Sequence, residues 1–491
     1  MIDTTGPRSA ARIRALPERR VVLEPLAAAD GLAPIDVAEM FRDLPGVVLL
    51  ESARPARNAR WSFLSADPVA VLEDPSEGSD LFADARTTLR RLDAGLPAET
   101  GSPLSPFVGG LVGYVGYDVG RRLERLPEIA IDDQPLPPMR LALHDWVICW
   151  DRVARRTWLG GRAVDGDVHR LTQRLEEVRG RVEDGAPIGS MPAASRSPDG
   201  FVFRSSLDRG TYVAGVQAIR AAIGRGEIYQ ANLTRRLETP FDGDPWPLYR
   251  RLRTGDPARF AAYLDLGRDA STRQDGPNAR RGVRAILSAS PEPFLSVDAF
   301  GAVATDPIKG TRPRGRTPDD DRRLAAELLA SAKDRAENVM IVDVLRNDLG
   351  RVCRPGTVRV PRLLRLERTA SVQHLVTTIT GRLARGRDAF DLLGACFPGG
   401  SITGAPKIRA MEILERLEPV RRGPYTGALG WFGPDGSMAT SILIRTLVAD
   451  GRRLTLHVGG GITWRSDPSD EWDETVAKAA GPLGAIGGRE A

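Results

Sequence analysis

Apolar, strand-type segments follow one another in runs along this chain, and helix-type segments follow in runs of their own. This grouping is typical of layered α+β folds, whereas strict alternation of strands and helices would indicate parallel βαβ units. We therefore predict an α+β fold. At 491 residues the chain is long enough for one large composite domain or for more than one ordinary core.

The composition changes at residues 185–205, where Gly, Pro, Ser and Ala dominate. Such segments are typical of linkers. We expect a disordered tail at 1–20, an N-terminal region at 21–184, a linker at 185–205 and a C-terminal region at 206–487. The tail lacks the apolar core of a signal peptide and no apolar run has the length of a membrane span, so we expect a cytoplasmic protein that does not bind membranes.

Charge and cysteine content disfavour two other classes of protein. The net charge of +5 is small for this length and arginine is spread along the sequence, which does not favour binding to nucleic acid. Cys149, Cys353 and Cys396 lie far apart without CxxC spacing, so neither a disulfide framework nor a zinc site is predicted. We expect all three to be small buried side chains in a reducing compartment.

Lysine is rare in this chain and therefore informative. The sequence has 69 basic residues, and the lysines among them are Lys309, Lys333, Lys407 and Lys478. Arginine does not deprotonate in proteins, whereas a partly buried lysine can act as a nucleophile or base. Lys309 lies in the segment Asp306–Arg314, after a β-prone run and directly before Gly310. We predict that Lys309 has a chemical role.

Two predicted helices carry acidic side chains on one face. The first spans Leu324–Leu349 and the second spans Pro468–Ala480, which also presents Lys478. Convergence of the two faces would supply the carboxylates that Mg²⁺ prefers. The spacing alone is nevertheless more typical of solvated helix faces. The acidic positions are Asp334 and Glu337 on the first helix and Glu471 and Glu474 on the second.

Other features of the C-terminal half fit a site for an anion, each with an ordinary structural alternative. Gly459–Gly461 would present backbone N–H groups to an anion, although a Gly-rich turn fits equally well. The loop Phe397–Lys407 opens a helix, a favourable place for anions. Arg445 interrupts an apolar strand and needs a carboxylate partner if buried. His374 lies in a β-prone run, where a structural role is commoner than acid–base catalysis.

These segments together resemble the chorismate-utilising enzymes, the family that includes anthranilate synthase component I and aminodeoxychorismate synthase component I. The similarity extends from about residue 20 to the end of the chain. It implies two large, mainly antiparallel β-sheets packed face to face, with helices outside and one core shared by both halves. The matching segments are Leu49–Ser52, Pro106–Tyr117, Ser290–Glu292, Pro307–Arg314, Lys333–Arg351, His374–Val376, Phe397–Lys407, Ile444–Thr446, Gly459–Ile462 and Glu471–Thr475.

The resemblance also implies roles for individual residues. Glu337 and Glu474 would bind Mg²⁺, supported through water by Asp334 and Glu471, and the metal would hold the ring carboxylate of chorismate. Glu292 would be the general acid that helps the 4-hydroxyl leave. The residues implied to bind substrate are Arg445, Tyr425, Gly459, Gly460, Lys478, Thr403 and Gly404.

Three positions discriminate within the family. Anthranilate synthases have alanine where this chain has Lys309, whereas aminodeoxychorismate synthases have lysine. The resemblance implies that the Lys309 amine attacks C2 of chorismate as the 4-hydroxyl departs, and that ammonia then adds at C4 and expels the lysine to give 4-amino-4-deoxychorismate. Gln230 stands where isochorismate and salicylate synthases have a water-activating lysine, so water is disfavoured as nucleophile. His374 matches a catalytic histidine of anthranilate synthases and is expected to position substrate here.

The ammonia needs a source outside this chain. The sequence has no Gly-x-Cys-x-Gly turn of the kind a glutaminase nucleophile needs, so the resemblance implies a separate glutamine amidotransferase subunit in a heterodimer. The product would enter 4-aminobenzoate synthesis, for folate or for another aminobenzoate-derived metabolite. The rival hypotheses are anthranilate synthase component I and a non-catalytic, chorismate-binding regulatory paralogue.

Two departures from the family pattern affect these expectations. Ser52 lies in a segment that resembles the tryptophan pocket of anthranilate synthases and is a candidate effector-site residue. The second element of that pocket is replaced here by Pro257–Phe260, so feedback by tryptophan is not expected. Ala439 stands where the family usually has aspartate, which leaves the polar contacts near Arg445 open.

Overall fold

The computed structural model describes residues 20–53, 60–78, 80–95, 105–185, 200–268, 282–368 and 372–491. The strands within these residues are β1 (Val21–Pro25), β2 (Val48–Glu51), β3 (Trp61–Ser65), β4 (Ala70–Leu72), β5 (Gly110–Val115), β6 (Met139–His144), β7 (Trp146–Asp151), β8 (Arg156–Arg162), β9 (Phe201–Ser205), β10 (Gln230–Pro240), β11 (Phe260–Arg268), β12 (Val283–Ser290), β13 (Pro293–Val297), β14 (Ala302–Thr305), β15 (Ile308–Pro313), β16 (Arg359–Arg368), β17 (Val372–Arg382), β18 (Gly404–Ala405), β19 (Ala428–Phe432), β20 (Met438–Ile442), β21 (Thr446–Asp450), β22 (Arg453–Ile462) and β23 (Gly488–Glu490). The α-helices are α1 (Pro34–Glu39), α2 (Ala83–Leu89), α3 (Gly120–Leu123), α4 (Val168–Glu183), α5 (Arg209–Gly224), α6 (Trp246–Gly255), α7 (Pro318–Ala330), α8 (Ala332–Gly350), α9 (Ala389–Cys396), α10 (Gly400–Thr403), α11 (Lys407–Leu417) and α12 (Pro468–Ile486).

The strands form two sheets, and each sheet combines strands from both ends of the chain. The 13-stranded sheet has the order β1-β8-β7-β3-β2-β11-β12-β21-β22-β10-β9-β23, with β18 paired to β10. The 10-stranded sheet has the order β15-β17-β14-β13-β20-β19-β5-β6-β4, with β16 paired to β17. Only β9 and β23 pair in parallel among these strands. Because a block of N-terminal strands joins a block of C-terminal strands in both sheets, the two halves of the chain share one core.

An apolar layer joins the two sheets face to face. The ring of Trp431, from the 10-stranded sheet, lies 6.4 Å from that of Phe63 in the 13-stranded sheet and 5.0 Å from that of Phe107. Helices α1, α4, α6 and α12 pack on the outer face of the larger sheet, and α2, α8 and α9 pack on the smaller one. The predicted fold of two mainly antiparallel sheets with helices outside is confirmed.

Other expectations from the sequence have mixed outcomes. The three cysteines are buried and unpaired, as expected. Part of the range 185–205 forms a strand, β9, while residues 186–199 and the tail 1–19 lie outside the described residues, so the division into regions stays a prediction. In the portion of the chain that the structure describes, every helix is too short or too polar to cross a bilayer.

The prediction of one helix over Leu324–Leu349 is wrong, because the chain breaks at Ser331 between α7 and α8. Ser331 has an extended backbone, and its hydroxyl oxygen accepts a hydrogen bond from the N–H of Asp334 at 3.2 Å. A serine hydroxyl can accept a hydrogen bond from a backbone N–H of the first turn, so serine is a favoured N-cap. The break makes Asp334 a first-turn residue of α8.

Helix α12 continues beyond the predicted end at Ala480 to Ile486, with Pro482 inside it. A proline removes one backbone hydrogen bond of the helix, and near a C-terminus this loss affects only the last turns. Gly487 then ends the helix in the left-handed conformation that glycine adopts readily, with a φ of 79°.

Arg422 is a buried cation that links the two sheets. Its guanidinium donates to the Glu418 carboxylate at 2.7 and 2.8 Å, to the Ile402 carbonyl at 3.0 Å and to the Asn232 carbonyl in β10 at 2.7 Å. It also lies 4.5 Å from the ring centroid of Tyr117, just after β5 of the smaller sheet. The charge of Glu418 is what allows this cation to stay out of water.

We predict that Glu418→Gln lowers the free energy of unfolding by about 3–5 kcal/mol, because it leaves the Arg422 charge buried without its counter-ion. Urea denaturation followed by circular dichroism measures the change. The control is Glu412→Gln, which removes an exposed ion pair with Arg409 and should barely move the transition. Equal midpoints for the two variants would show that the buried pair does not hold the sheets together.

Candidate active site

Strand β15 places Lys309 beside the first turns of α8. Lys309 pairs with Leu375 of β17, and the next residue, Gly310, has a φ of 80°. A Cβ atom on Gly310 would lie 3.0 Å from the Asp334 side chain, so glycine is needed where the strand passes the helix. The Lys309 Nζ donates a hydrogen bond to the backbone carbonyl of Ser401 at 2.9 Å.

Lys309, which is partly buried, and Glu292, which is buried, lie close enough for their charges to interact. Burial lowers the pKa of the Lys309 ammonium, against the opposing effect of the Glu337 and Glu292 carboxylates. Burial likewise raises the pKa of Glu292, while Lys309, the Ser401 side chain and the backbone of Ile308 oppose that rise. Both groups are thereby moved towards their neutral forms.

Glu292 stands where the chain crosses from one sheet to the other, between the end of β12 and the start of β13. Ser290 fixes this crossing, since its hydroxyl donates to the Ile442 carbonyl at 2.6 Å and accepts the Glu292 N–H at 3.3 Å. The Glu292 Oε1 atom is buried and has no hydrogen-bond partner among the described residues. A ligand that supplies a hydrogen-bonding oxygen would satisfy it.

Four acidic side chains converge around Lys309 from α8 and α12. Glu474 pairs with Lys478 at 2.6 Å, Glu471 pairs with Lys333 at 3.5 Å, and Asp334 pairs with Arg312 at 3.1 Å. Burial raises the pKa of Glu337 and of Glu471. Burial also acts to raise the pKa of Glu474, but Lys478 and the other nearby lysines outweigh it, so the net shift is downward.

The donor set fits a hard divalent cation. Glu337 Oε1 and Glu471 Oε2 are buried oxygens without a hydrogen-bond partner in the described part of the chain. Carboxylate oxygens in this state would be satisfied by Mg²⁺, which accepts a few carboxylates and fills its octahedron with water and substrate oxygens. As they stand, however, no three His, Cys, Asp or Glu side chains among the described residues are grouped closely enough to hold a metal ion. The magnesium site therefore stays a prediction.

The three glycines of β22 let the backbone come close to its neighbours. A Cβ atom on Gly460 would lie 3.0 Å from Glu471 Oε2 and 3.6 Å from Glu474 Oε1, so this strand borders the acidic cluster. A Cβ atom on Gly459 would lie 2.5 Å from the Leu233 carbonyl oxygen. The glycines thus lie within a strand, and the alternative of a Gly-rich turn is wrong. Lys478 Nζ donates to the Gly459 carbonyl at 2.9 Å.

Arg445 is not inside a strand, contrary to the prediction. It lies between β20 and β21 with a φ of 49°, and its carbonyl accepts the N–H of Ala289 in β12. Its side chain is 40% exposed and pairs with Asp256 at 3.4 Å. Continuing the antiparallel register of Leu447 with Leu456 brings Arg445 level with Val458, the residue before Gly459 of β22. Its partner Asp256 lies beside α12 close to Lys478, since a Cβ atom on Gly481, three residues further along the helix, would be 3.3 Å from Asp256 Oδ2.

The remaining residues predicted to bind substrate are buried around this strand. Tyr425 stacks on His457 at 4.9 Å, and burial raises the pKa of its hydroxyl. Thr403 is fully buried with its hydroxyl donating to the Gly399 carbonyl at 3.0 Å. Gly404 pairs with Ala231 of β10. A Cβ atom on Gly404 would lie 2.2 Å from the carbonyl oxygen of Gln230.

The other two of the three positions predicted to discriminate between family members, His374 and Gln230, are buried here. His374 Nδ1 shares a hydrogen bond of 2.9 Å with the hydroxyl of Thr311, two residues after Lys309 in β15. Gln230 is fully buried, and neither end of its amide has a partner among the described residues. Unsatisfied amide groups of this kind are costly unless a ligand or water engages them.

Ser52 lies away from this cluster, in the wall of a separate apolar cavity of about 780 Å³ between the sheets. Its hydroxyl is within 3.3 Å of the carbonyls of Trp61 and Arg259. Ala439 lines the same cavity from β20. The departure at Ala439 thus falls on an apolar surface.

Sequence reasoning missed two residues next to Lys309. Asn232 Nδ2 donates at 3.0 Å to the same Ser401 carbonyl that receives Lys309 Nζ. Ser401 lies in a segment that matched the family and Asn232 lies two residues after the discriminating Gln230, which is the only signal the sequence offered. The contact involves a backbone carbonyl, and residue types do not reveal where such a group points.

Known proteins are similar to this chain over nearly its whole length. The family model described as chorismate binding enzyme matches residues 47–484. Anthranilate synthase component 1 of Streptomyces coelicolor is 40% identical over 443 residues, covering 88% of this chain and 82% of that protein. Aminodeoxychorismate synthase component 1 of Salmonella typhimurium is 39% identical over 461 residues, covering 90% of this chain and 94% of that protein.

Solved structures agree on the fold. Anthranilate synthase component I from Streptococcus pneumoniae superposes with a TM-score of 0.72 at 27% identity, covering 87% of this chain and 93% of that one. The menaquinone-specific isochorismate synthase of Escherichia coli superposes with a TM-score of 0.70 at 18% identity, covering 95% of this chain and 94% of that one. Sequence and fold together show that this chain belongs to the chorismate-binding enzyme family.

Proposed function

We propose that this enzyme is an aminodeoxychorismate synthase component I, which converts chorismate and ammonia to 4-amino-4-deoxychorismate for 4-aminobenzoate synthesis. One observation carries the proposal above the others. Lysine is rare in this protein, and one of its lysines, Lys309, lies partly buried beside the acidic cluster. Burial lowers the pKa of its ammonium. A neutral amine at this position is a nucleophile, which an alanine there would not be.

The chemistry divides between Lys309 and Glu292. The Lys309 amine forms a bond to C2 of chorismate while the C4–oxygen bond breaks, and Glu292 gives its proton to the departing hydroxyl, which leaves as water. Ammonia then bonds to C4, and the bond between C2 and Lys309 breaks as the ring double bond returns. The hydrogen bond to Ser401 holds the amine in one direction throughout.

Binding of a dianionic substrate is assigned to the residues around β22. Arg445 and Lys478 provide positive charge on one side, and the Gly459 and Gly460 backbone lies close to it. Glu337 and Glu474, with Asp334 and Glu471 behind them, are the residues that would hold Mg²⁺. The metal would supply a strong positive charge for the ring carboxylate of chorismate.

Anthranilate synthase component I is the second candidate, since relatives with that name are about as similar as those with the other name. It would aminate C2 rather than C4 and would release pyruvate. Lys309 at the C2-attacking position is the observation that favours the first candidate. A non-catalytic paralogue is disfavoured because the nucleophile, the acid and the carboxylate cluster are all present in one site.

We predict that the protein with chorismate, Mg²⁺ and ammonium forms 4-amino-4-deoxychorismate without releasing pyruvate, as measured by chromatography. Lys309→Ala should lower this rate by about a hundredfold or more, the scale of losing a catalytic side chain. Lys309→Arg should be equally impaired, because a guanidinium keeps its proton.

The control for the Lys309 variants is Arg314→Ala, just beyond the same strand, where the side chain pairs with Asp321. It should retain the wild-type rate. Anthranilate fluorescence with stoichiometric pyruvate would contradict the proposal and support anthranilate synthase. Unchanged turnover by Lys309→Ala would remove lysine from the mechanism.

We predict that Ser401→Ala moves the alkaline limb of the pH–rate profile to higher pH. Activity needs Glu292 protonated, so it falls as pH rises through the pKa of that carboxyl. The Ser401 side chain acts to lower this pKa, and its removal raises it. The profile is measured as kcat/KM at a fixed concentration of free ammonia. Ser401→Thr, which keeps the hydroxyl, should restore the limb, and an alkaline limb unmoved in Ser401→Ala would contradict the role of Glu292 as acid.

A further inference from the structure

Strand β16 forms an edge of the smaller sheet and carries arginine at every third position. These residues are Arg359, Arg362, Arg365 and Arg368. On a regular strand, side chains three positions apart point to opposite faces. A regular β16 would therefore divide its arginines between the two sides of the sheet.

The register of β16 on β17 changes this arrangement. Arg359, Arg362 and Arg365 pair with Thr380, Thr378 and Val376, respectively, with an irregularity in each interval. The partners are two residues apart on β17 and so share one face. For every two residues of β17, β16 uses three, so each arginine stands opposite a residue of the same β17 face. The three arginines therefore share one face as well, with neighbouring arginines roughly 7 Å apart along the strand. We call this set, Arg359, Arg362 and Arg365, the arginine face.

The charges of the arginine face are not neutralised by any acidic residue that the structure describes. All three residues are exposed, and none forms an ion pair with an acidic residue among those the structure describes. Arg368, which pairs with Gln373 and so has the opposite orientation, does contact an acid, Asp321, at 3.6 Å. A spacing of three residues hides this shared face in the sequence, because on a regular strand it would divide the arginines between two faces.

The surroundings of the arginine face favour a protein as its partner. Leu363, between two of its arginines, is 53% exposed. Arginine next to exposed apolar groups is typical of protein interfaces, whereas a single-stranded nucleic acid would need aromatic side chains on which bases stack. Strand β16 itself contains no aromatic residue. Charged side chains and irregularities also keep sheet edges from pairing with one another, so a partner would be held by side chains.

The position of the arginine face relates it to the active site. Val376 of β17 pairs with Arg365 on one side and with Ile308, the neighbour of Lys309, on the other. The strand that carries Lys309 therefore lies about 10 Å from β16, twice the spacing of adjacent strands. A partner bound to β16 would be next to the element that uses ammonia.

We propose that the arginine face is the docking surface for an acidic face of the glutamine amidotransferase subunit. The identity of this partner rests on the proposed function, which requires ammonia and a separate source for it. The three guanidinium groups would steer the association and fix its orientation, since complementary charge contributes mainly to rate and specificity of encounter.

The test is the triple variant R359E/R362E/R365E, titrated with the glutamine amidotransferase subunit of the same organism. Glutamine-dependent product formation should need about tenfold more of the subunit or a still larger excess, and the salt dependence of binding should become weaker. Ammonium-dependent formation should equal that of the wild type, because none of the three residues belongs to the active site. Binding itself is measured by sedimentation velocity, independently of activity.

The matched control is R155E/R156E/R170E, which makes the same change of charge at exposed arginines of the β7–β8 hairpin and α4. It should bind the subunit like the wild type. Equal titrations for both triple variants, or no binding by the wild type at low salt, would overturn the proposal. The proposal would also be overturned if a labelled oligonucleotide bound the wild type but not the β16 variant, while the amidotransferase subunit still bound that variant. Failure of the ammonium reaction alone would instead refute the proposed function.

Discussion

The burial of Glu292 and the partial burial of Lys309 are the constraint on which the site depends. In water these groups would be an ammonium and a carboxylate, whereas burial lowers the pKa of the first and raises that of the second. A nucleophilic amine and a general acid need the neutral forms that desolvation favours. The fold maintains this state by placing Glu292 where the chain crosses between the sheets.

Two helices complete the site by beginning at it. Helix α8 starts at Ala332 after its N-cap Ser331, and α12 starts at Pro468 after Asp467, so Asp334 and Glu471 lie in the first turns of the two helices. A helix N-terminus stabilises nearby negative charge. The lysines of the site and the close-packed glycines of β22 surround the same carboxylates. The lysines thus offset the charge of the carboxylates, with Glu471 buried and with Glu474, Lys333 and Lys478 partly open to solvent.

The sequence predicted the fold class and named the candidate residues of the site, but it predicted little of the geometry of that site. Family motifs led to Lys309, Glu292, Glu337 and Glu474, which do come together. The break at Ser331 was missed because the apolar pattern of one long helix continues across a residue that acts as an N-cap. Two further features could not be predicted. They are the hydrogen bond from Lys309 to a backbone carbonyl and the face shared by the β16 arginines. Both depend on strand register, which residue types alone do not encode.

The covalent role of Lys309 is tested most directly by mass spectrometry of the protein mixed with chorismate and Mg²⁺ in the absence of ammonia. The account predicts a fraction of the chain heavier by chorismate less one water, located by peptide mapping on Lys309, which disappears when ammonium is added and product forms. A chain that stays unmodified at Lys309 in rapidly quenched samples, while ammonium still gives 4-amino-4-deoxychorismate, would contradict it.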